Sequence, residues 1–275
     1  MSVSMKGLEA AIQQLQMNRI DLKQLYKHFK CLLLGPGGTG KTYASRTLPH
    51  LDRVMYCSCE SGCLSISDVD FATKPVEMFS WEDVQKTYQL AKKYAGEIGT
   101  VYFDSLTESN ELCKEYIKQN RKEAKETETL TMQEWGLLDI YMRKMIRGFR
   151  NLPVNVIFTC HPKRKEDSDT GETKYYPALN GQLSENVHQF FDFVFFANVK
   201  KSKKGATYSW LTGGHDRYMT KDRSGKLKML AEPNWTNIFN AVKGATAEPV
   251  KKETKKEAAP VKTVQVSEEE ANPFG

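Results

Sequence analysis

Phe29-Lys30-Cys31-Leu32-Leu33-Leu34-Gly35-Pro36-Gly37-Gly38-Thr39-Gly40-Lys41-Thr42 sets how the rest of this 275-residue chain is read. A short apolar run stopped by glycine is the pattern of a buried strand. Gly35 to Thr42 fits G-x4-G-K-[ST] in full, and a helix-compatible segment, Lys41 to Leu48, follows until Pro49 ends it. Between a strand and a helix this pattern is a phosphate cradle. In the loop Gly35, Pro36, Gly37, Gly38, Thr39 and Gly40 the glycines let backbone N–H groups turn inward, and the helix N-terminus adds partial positive charge. Lys41 reaches the β- and γ-phosphates of a bound nucleotide, and the Thr42 hydroxyl is a ligand for Mg²⁺. A glycine turn that matched by chance would not bring both flanking elements with it.

On the C-terminal side, Val54–Cys57, Thr100–Asp104 and Val154–Thr159 are further apolar strands. Trp81–Tyr94 and the helical spacing of Trp135, Leu138, Met142, Met145 and Phe149 are helices between them. The charged stretch from Leu106 to Thr131 predicts a solvated helix running into a loop. Phe193–Val199 and Thr207–Leu211 add strands, and Trp235, Ile238, Phe239 and Val242 mark a closing helix. Strands alternating with helices predict an α/β fold, a mostly parallel sheet covered on both faces. Leu8, Ile12 and Leu15 predict a helix in an N-terminal segment, residues 1–28, that packs on the main body. The domain proper is expected at 29–244. From 245 to 275 the composition turns to Lys, Glu, Ala, Pro, Thr and Val with Phe274 as the only aromatic, which predicts a disordered tail.

With 40% hydrophobic and 27% charged residues the chain is neither disordered nor fibrous. It has no apolar run of membrane-spanning length and no secretory signal, so a cytoplasmic location without membrane association is expected, the host cytoplasm if the chain is phage-encoded. The net charge of +6 does not identify a nucleic-acid binder by itself. Cys57, Cys59 and Cys63 are clustered but lack zinc-ribbon spacing and a fourth ligand, and read as small buried hydrophobes.

A P-loop needs a second Mg²⁺ anchor, and Val101-Tyr102-Phe103-Asp104 places a carboxylate at the end of a strand about sixty residues on. Asp104 is the expected Walker B residue; the plainer alternative is a turn former. Glu60 lies nineteen residues beyond Lys41, just past the second strand, where its carboxylate is a candidate to orient the attacking water. A solvated loop glutamate is the alternative.

Cys57-Ser58-Cys59-Glu60, Phe103-Asp104-Ser105-Leu106-Thr107-Glu108 and Phe158-Thr159-Cys160-His161, together with the P-loop, resemble the core of the RecA-like ATPases. The resemblance runs from about Leu32 to Gly244 and is to a bacteriophage AAA/RecA-type group associated with single-strand annealing and recombination. It implies that Glu60 is the catalytic glutamate and that His161 senses the γ-phosphate and couples it to a DNA loop. Ser58 departs from the aspartate often found there. Lys221-Asp222-Arg223-Ser224-Gly225 resembles the K-x-R-x-G of RecA- and DnaB-type rings and filaments, which implies that Lys221 and Arg223 reach a neighbouring subunit's γ-phosphate; a basic turn is the alternative. Lys163, Arg164, Lys165, Lys174, Tyr175 and Tyr176 follow His161 where such proteins carry a second DNA-binding loop, basic groups for phosphates and tyrosines for bases. A surface hairpin around Asp169-Thr170-Gly171 is the alternative, and Gln119–Thr131 stands where the first DNA loop would be.

The expected function is thus an ATP- and Mg²⁺-dependent, oligomeric ATPase acting on single-stranded DNA in phage recombination, annealing or replication. A DnaB-type ring helicase motor and a nucleotide-dependent protein scaffold that binds no DNA are its rivals. The last residues, Ser267 to Gly275, resemble the acidic Pro-Phe tips of bacterial single-strand-binding proteins, which implies a replication or recombination partner; there the Phe is terminal, whereas here Gly275 follows it. A solubilising tail, or one that competes with DNA for the protein's own basic loops, are the alternatives.

Overall fold

The computed structural model describes residues 5–15, 28–121, 129–166, 171–203, 205–243 and 274. After helix α1 (Met5–Gln14) come β1 (Lys30–Leu34), α2 (Lys41–Ala44), β2 (Val54–Ser58), the short β3 (Val76–Glu77) and α3 (Trp81–Lys93). Strand β4 (Thr100–Asp104) precedes α4 (Leu106–Gln119) and α5 (Met132–Arg150), and β5 (Asn155–Cys160) precedes the pair β6 (Pro162–Glu166) and β7 (Thr173–Pro177). The chain then forms α6 (Leu183–Asn186), β8 (Phe193–Ser202), β9 (Gly205–Leu211), β10 (Lys221–Asp222), β11 (Leu230–Ala231) and α7 (Trp235–Lys243).

The sheet runs β11-β9-β8-β1-β5-β4-β2-β3, with β10 beside β8. Its centre is parallel, and only β9, β10 and β11 pair antiparallel. This is the expected α/β arrangement, a mostly parallel sheet flanked by helices. The register brings the strand ends together. Leu34 is level with Cys160, Phe158 with Phe103, and Asp104 with Ser58, so Gly35, His161, Ser105 and Cys59 all leave the sheet at one edge.

Side chains alternate across each strand, and because both faces are covered the central strands are mainly apolar on both sides. Leu32, Leu34, Val101, Phe103 and Phe158 pack with Trp81, Met142, Met145 and Phe149 from α3 and α5. On the opposite face Cys31, Leu33 and Tyr102 pack with Phe195, Trp210, Trp235 and Phe239. Trp235 and Phe239 come from α7, which closes that layer. Helix α5 starts on a reciprocal cap between Thr131 and Glu134, and Glu134 also pairs with Arg121 at 2.7 Å.

Several expectations change in detail. Helix α2 is one turn long and passes into a 3-10 turn at Ser45–Thr47. The Ser45 and Thr47 hydroxyls donate to the carbonyls of Thr42 and Ala44 at 2.8 and 2.7 Å, local bonds that compete with helix continuation. Leu15, just past the end of α1, is exposed, whereas Ile12 is half-buried. Residues 122–128 and 167–170, parts of the two expected DNA loops, lie outside the described residues, as do 245–273 and 275 of the tail. Phe274 is the exception, and it is buried.

Lys30 is a charge inside the strand that opens the motif. Its amine is buried and donates to the carbonyls of Leu152 and Val154 at 2.7 and 2.5 Å. Burial pushes its pKa down to about 7. Because the folded value lies below the unfolded one, the folded state binds fewer protons between about pH 7 and 10.5, and stability rises with pH across that window. Lys30→Met should remove this slope. Urea unfolding of both proteins at pH 7 and 9.5 checks it, with a change in the difference on the order of 2–3 kcal/mol expected; equal slopes in both would contradict it.

Candidate nucleotide site

The cleft at the sheet edge encloses about 620 Å³ and is lined by the P-loop from Gly37 to Thr42 together with Glu60, His161, Tyr208 and Pro233. Two glycines are needed for steric reasons. A Cβ on Gly35 would stand 2.7 Å from the Thr39 Oγ1 and 2.8 Å from Ala197. Gly40 opens α2 with φ of +80°, a conformation that side chains resist. Thr39 ties the loop to itself by donating to the Pro36 carbonyl at 2.8 Å.

Lys41 is buried, and its ammonium donates to the carbonyls of Gly35 and Pro36 at 2.7 and 3.1 Å. Burial lowers its pKa, opposed by the nearby carboxylates of Asp104 and Glu60. Asp104 is also buried, and its carboxylate accepts three hydroxyls: Thr42 at 2.6 Å, Tyr56 at 2.6 Å, and Thr159. Tyr102 donates to the Lys41 carbonyl at 2.5 Å, which fixes the first turn of α2 to the β4 strand. Burial raises the Tyr56 phenol far out of the titratable range, so it stays a donor to Asp104.

Glu60 reaches the same cleft from the loop after β2. Its Oε1 accepts from Ser105 Oγ and from His161 Nε2, the latter at 3.1 Å. The bond from His161 holds the Glu60 carboxyl below its ordinary range against the upward pull of partial burial, with Ser105 and Lys41 adding to the lowering. The backbone N–H of His161 is in turn bound by the Thr107 hydroxyl at 2.9 Å. Five residues singled out in the sequence, Lys41, Thr42, Glu60, Asp104 and His161, are therefore brought together. Tyr56, Thr159 and Ser105, which hold the two carboxylates, were not singled out, nor was Tyr208, an exposed aromatic on β9 near Gly40.

The donor set fits a nucleotide with a hard divalent cation. Thr42 and Asp104 offer adjacent oxygen ligands, and Lys41 with the glycine-opened loop offers a cationic seat for phosphate. Of the three clustered thiols expected to be buried, Cys57 is, while Cys59 and Cys63 are half-buried; burial pushes Cys57 up to about 12 and also raises Cys59 and Cys63, and among the described residues no group of three or more His, Cys, Asp or Glu is placed to hold a metal ion.

Lys221 and Arg223 sit elsewhere. Lys221 is level with Val194 at the start of β8, the sheet end away from the P-loop. Its amine donates to the Phe191 and His188 carbonyls at 2.7 and 3.2 Å, and Arg223 pairs with Asp192 at 2.7 Å. They do not reach their own P-loop.

The β6–β7 pair starts at Pro162, directly after His161. Cross-strand partners share a face, so Lys163, Lys165, Lys174 and Tyr176 gather on one side and Arg164 and Tyr175 on the other. The ring of Tyr175 stacks on Tyr218 at 5.0 Å and touches Phe196 at 5.9 Å, so it belongs to the body of the domain. Adjacent tyrosines on one strand point opposite ways, and the pair does not form a common stacking surface. Lys163 donates to the Leu179 carbonyl and Lys165 pairs with Glu185, each at 2.5 Å.

No helix among the described residues is long and apolar enough to cross a membrane. No curated protein matches the chain. Solved structures similar to the chain include a KaiC-like protein of the archaeon Pyrococcus horikoshii (13% identity, 66% of this chain and 76% of that one, TM-score 0.37) and the flagellar accessory protein FlaH of Methanocaldococcus jannaschii (11%, 78% and 90%, TM-score 0.41). Likenesses this faint carry no functional weight. The AAA domain family matches residues 27–224, well over half of the chain and the whole of the cleft except Pro233. By that match, and with a complete P-loop beside Asp104, the chain belongs to the AAA domain family of P-loop ATPases.

Proposed function

We propose that the chain is a magnesium-dependent ATPase that self-associates and acts on single-stranded DNA in phage-type recombination, annealing or replication. The observation that carries the reading is the Glu60–His161 bond: the residue suited to hold the attacking water is tied to the residue from which the basic β6–β7 hairpin departs.

At the phosphates, Lys41 supplies a cation whose present partners are only carbonyl oxygens, so a phosphate oxygen is a better acceptor. Mg²⁺, held by Thr42 and Asp104, would neutralise charge developing on the β- and γ-phosphate oxygens. Both bonds to Glu60 fall on Oε1, so Oε2 remains to hold a water. With its pKa lowered, Glu60 is a carboxylate at neutral pH and orients the water more than it deprotonates it.

Support for DNA comes from the face that gathers Lys163, Lys165, Lys174 and Tyr176. Replacing the three lysines by Ala should weaken single-strand binding and reduce the slope of log K against log salt by about 2, at ~0.7 per phosphate contact. Tyr176→Ala should cost roughly fivefold or more in affinity at unchanged slope. Titrations at several salt concentrations check both; wild-type binding in all variants would remove the hairpin from the reading and favour a scaffold that binds no DNA. Unwinding of a forked duplex would instead favour a ring helicase motor.

Support for self-association comes from Leu64 and Phe79, exposed at 88% and 68%, and from the placement of Arg223 away from its own P-loop. If Arg223 completes a neighbour's site, Arg223→Ala and Lys41→Ala subunits, each inactive alone, should regain measurable turnover when mixed. No recovery with exchanging oligomers would leave Arg223 as the partner of Asp192 only.

A further inference from the structure

Phe274, the penultimate residue, is 2% exposed. Its ring centroid lies 4.8 Å from that of Tyr88, 6.0 Å from Trp81 and 6.4 Å from Phe149, so α3 and α5 hold it between them. The floor of the pocket is Gly148. A Cβ there would stand 2.9 Å from the Phe274 ring and 3.1 Å from Tyr88. Glycine inside a helix is destabilising relative to alanine, and Gly148 does not adopt a positive φ that would require it. What it provides is room for the ring.

Between Lys243 and Phe274 stand roughly thirty residues without another aromatic, and at about 3.5 Å per residue they span up to ~100 Å. A tether of that contour length permits the ring to leave the pocket and return to it. Exposed Lys92 lies one turn beyond Tyr88 and exposed Lys144 one turn before Gly148, while Glu82 and Asp83 follow Trp81 at the start of α3. The sequence just ahead of Phe274 is acidic, Glu268-Glu269-Glu270. Opposite charges of this kind steer an aromatic anchor to its pocket.

We infer that the Trp81–Tyr88–Gly148–Phe149 pocket is a docking site for an aromatic C-terminal tip and that its occupant is Phe274 of the same chain, a releasable latch. The inference stands apart from the DNA reading. It is tested by fluorescence anisotropy of a labelled peptide, Ser267–Gly275, titrated with the full chain and with a chain lacking 268–275. The shortened chain should bind the peptide saturably. The full chain should bind it at least tenfold more weakly, because a tethered tip competes at an effective concentration in the millimolar range. A peptide carrying Phe274→Ala should not bind, and Gly148→Ala in the shortened chain should weaken binding at least tenfold without lowering its thermal midpoint. If the shortened chain folds poorly, the full chain with Phe274→Ala takes its place and should bind the wild-type peptide as the open form. Absent binding to a cooperatively folded open form, or equal affinity for open and full chains, would overturn the docking site. Protection of the full chain that disappears on dilution would assign the tip to a second copy and overturn the same-chain assignment.

Discussion

Lys41→Ala is expected to cut ATP turnover by at least ~10²–10³-fold and to weaken ATP binding. Removing one preorganised donor from a site of developing charge costs about this much even where other donors remain. Lys41 is the P-loop's own side-chain cation, buried at the base of the cleft with Asp104 and Glu60 as the charges nearest it. Arg223, the other cation suited to a γ-phosphate, is paired with Asp192 at the far end of the sheet and offers no substitute within the subunit. The protein should still fold, because the ammonium's bonds to the Gly35 and Pro36 carbonyls restrain a loop that Thr39 also ties. Phosphate release together with a nucleotide titration reads both effects. Unchanged turnover would refute the assignment of the cleft.

Glu60→Gln is expected to behave differently, with turnover falling ~10²–10⁴-fold while ATP affinity stays within a few fold. Glutamine keeps the size of the side chain and an acceptor for Ser105 and His161, so the loop after β2 should hold its place. What it loses is the negative charge that orients water. The sign of the pKa shift adds a second readout. With the folded value lowered, the carboxylate persists as pH falls below the ordinary glutamate range, so the acid limb of the rate profile that belongs to Glu60 should lie below about pH 4.5. Equal losses of affinity and turnover would mark Glu60 as a structural residue.

The parts of this fold and site that were legible in the sequence are those whose chemistry demands a fixed order of residues. Gly35–Thr42 admits few alternatives between a strand and a helix, and Asp104 ends an apolar strand at a distance that only the sheet register makes meaningful. Glu60 was legible as an offset, yet its hold on His161 was not, because the two are brought together by separate strand ends. Tyr56, Thr159 and Ser105 are ordinary strand and cap residues in sequence; their hydroxyls matter only because β2 and β5 flank β4. The two-residue strands β3, β10 and β11 are too short to show a period. In the tail, the acidic Pro-Phe ending marks Phe274 as an anchor but points to a separate partner; neither it nor the composition shows that α3 and α5 of the same chain hold a pocket for the ring. The available signal was Gly148 inside a helix of 19 residues.

Coupling between hydrolysis at Lys41, Asp104 and Glu60 and single-stranded DNA on the β6–β7 hairpin is what the proposed function stands on. It is read from phosphate release by the purified chain with Mg²⁺-ATP while an unstructured oligonucleotide is titrated at low and high salt. The basal rate should rise with oligonucleotide at low salt, lose this rise at high salt, and lose it also when Lys163, Lys165 and Lys174 are replaced by Ala. A basal rate that no oligonucleotide alters at any salt concentration would contradict the coupling.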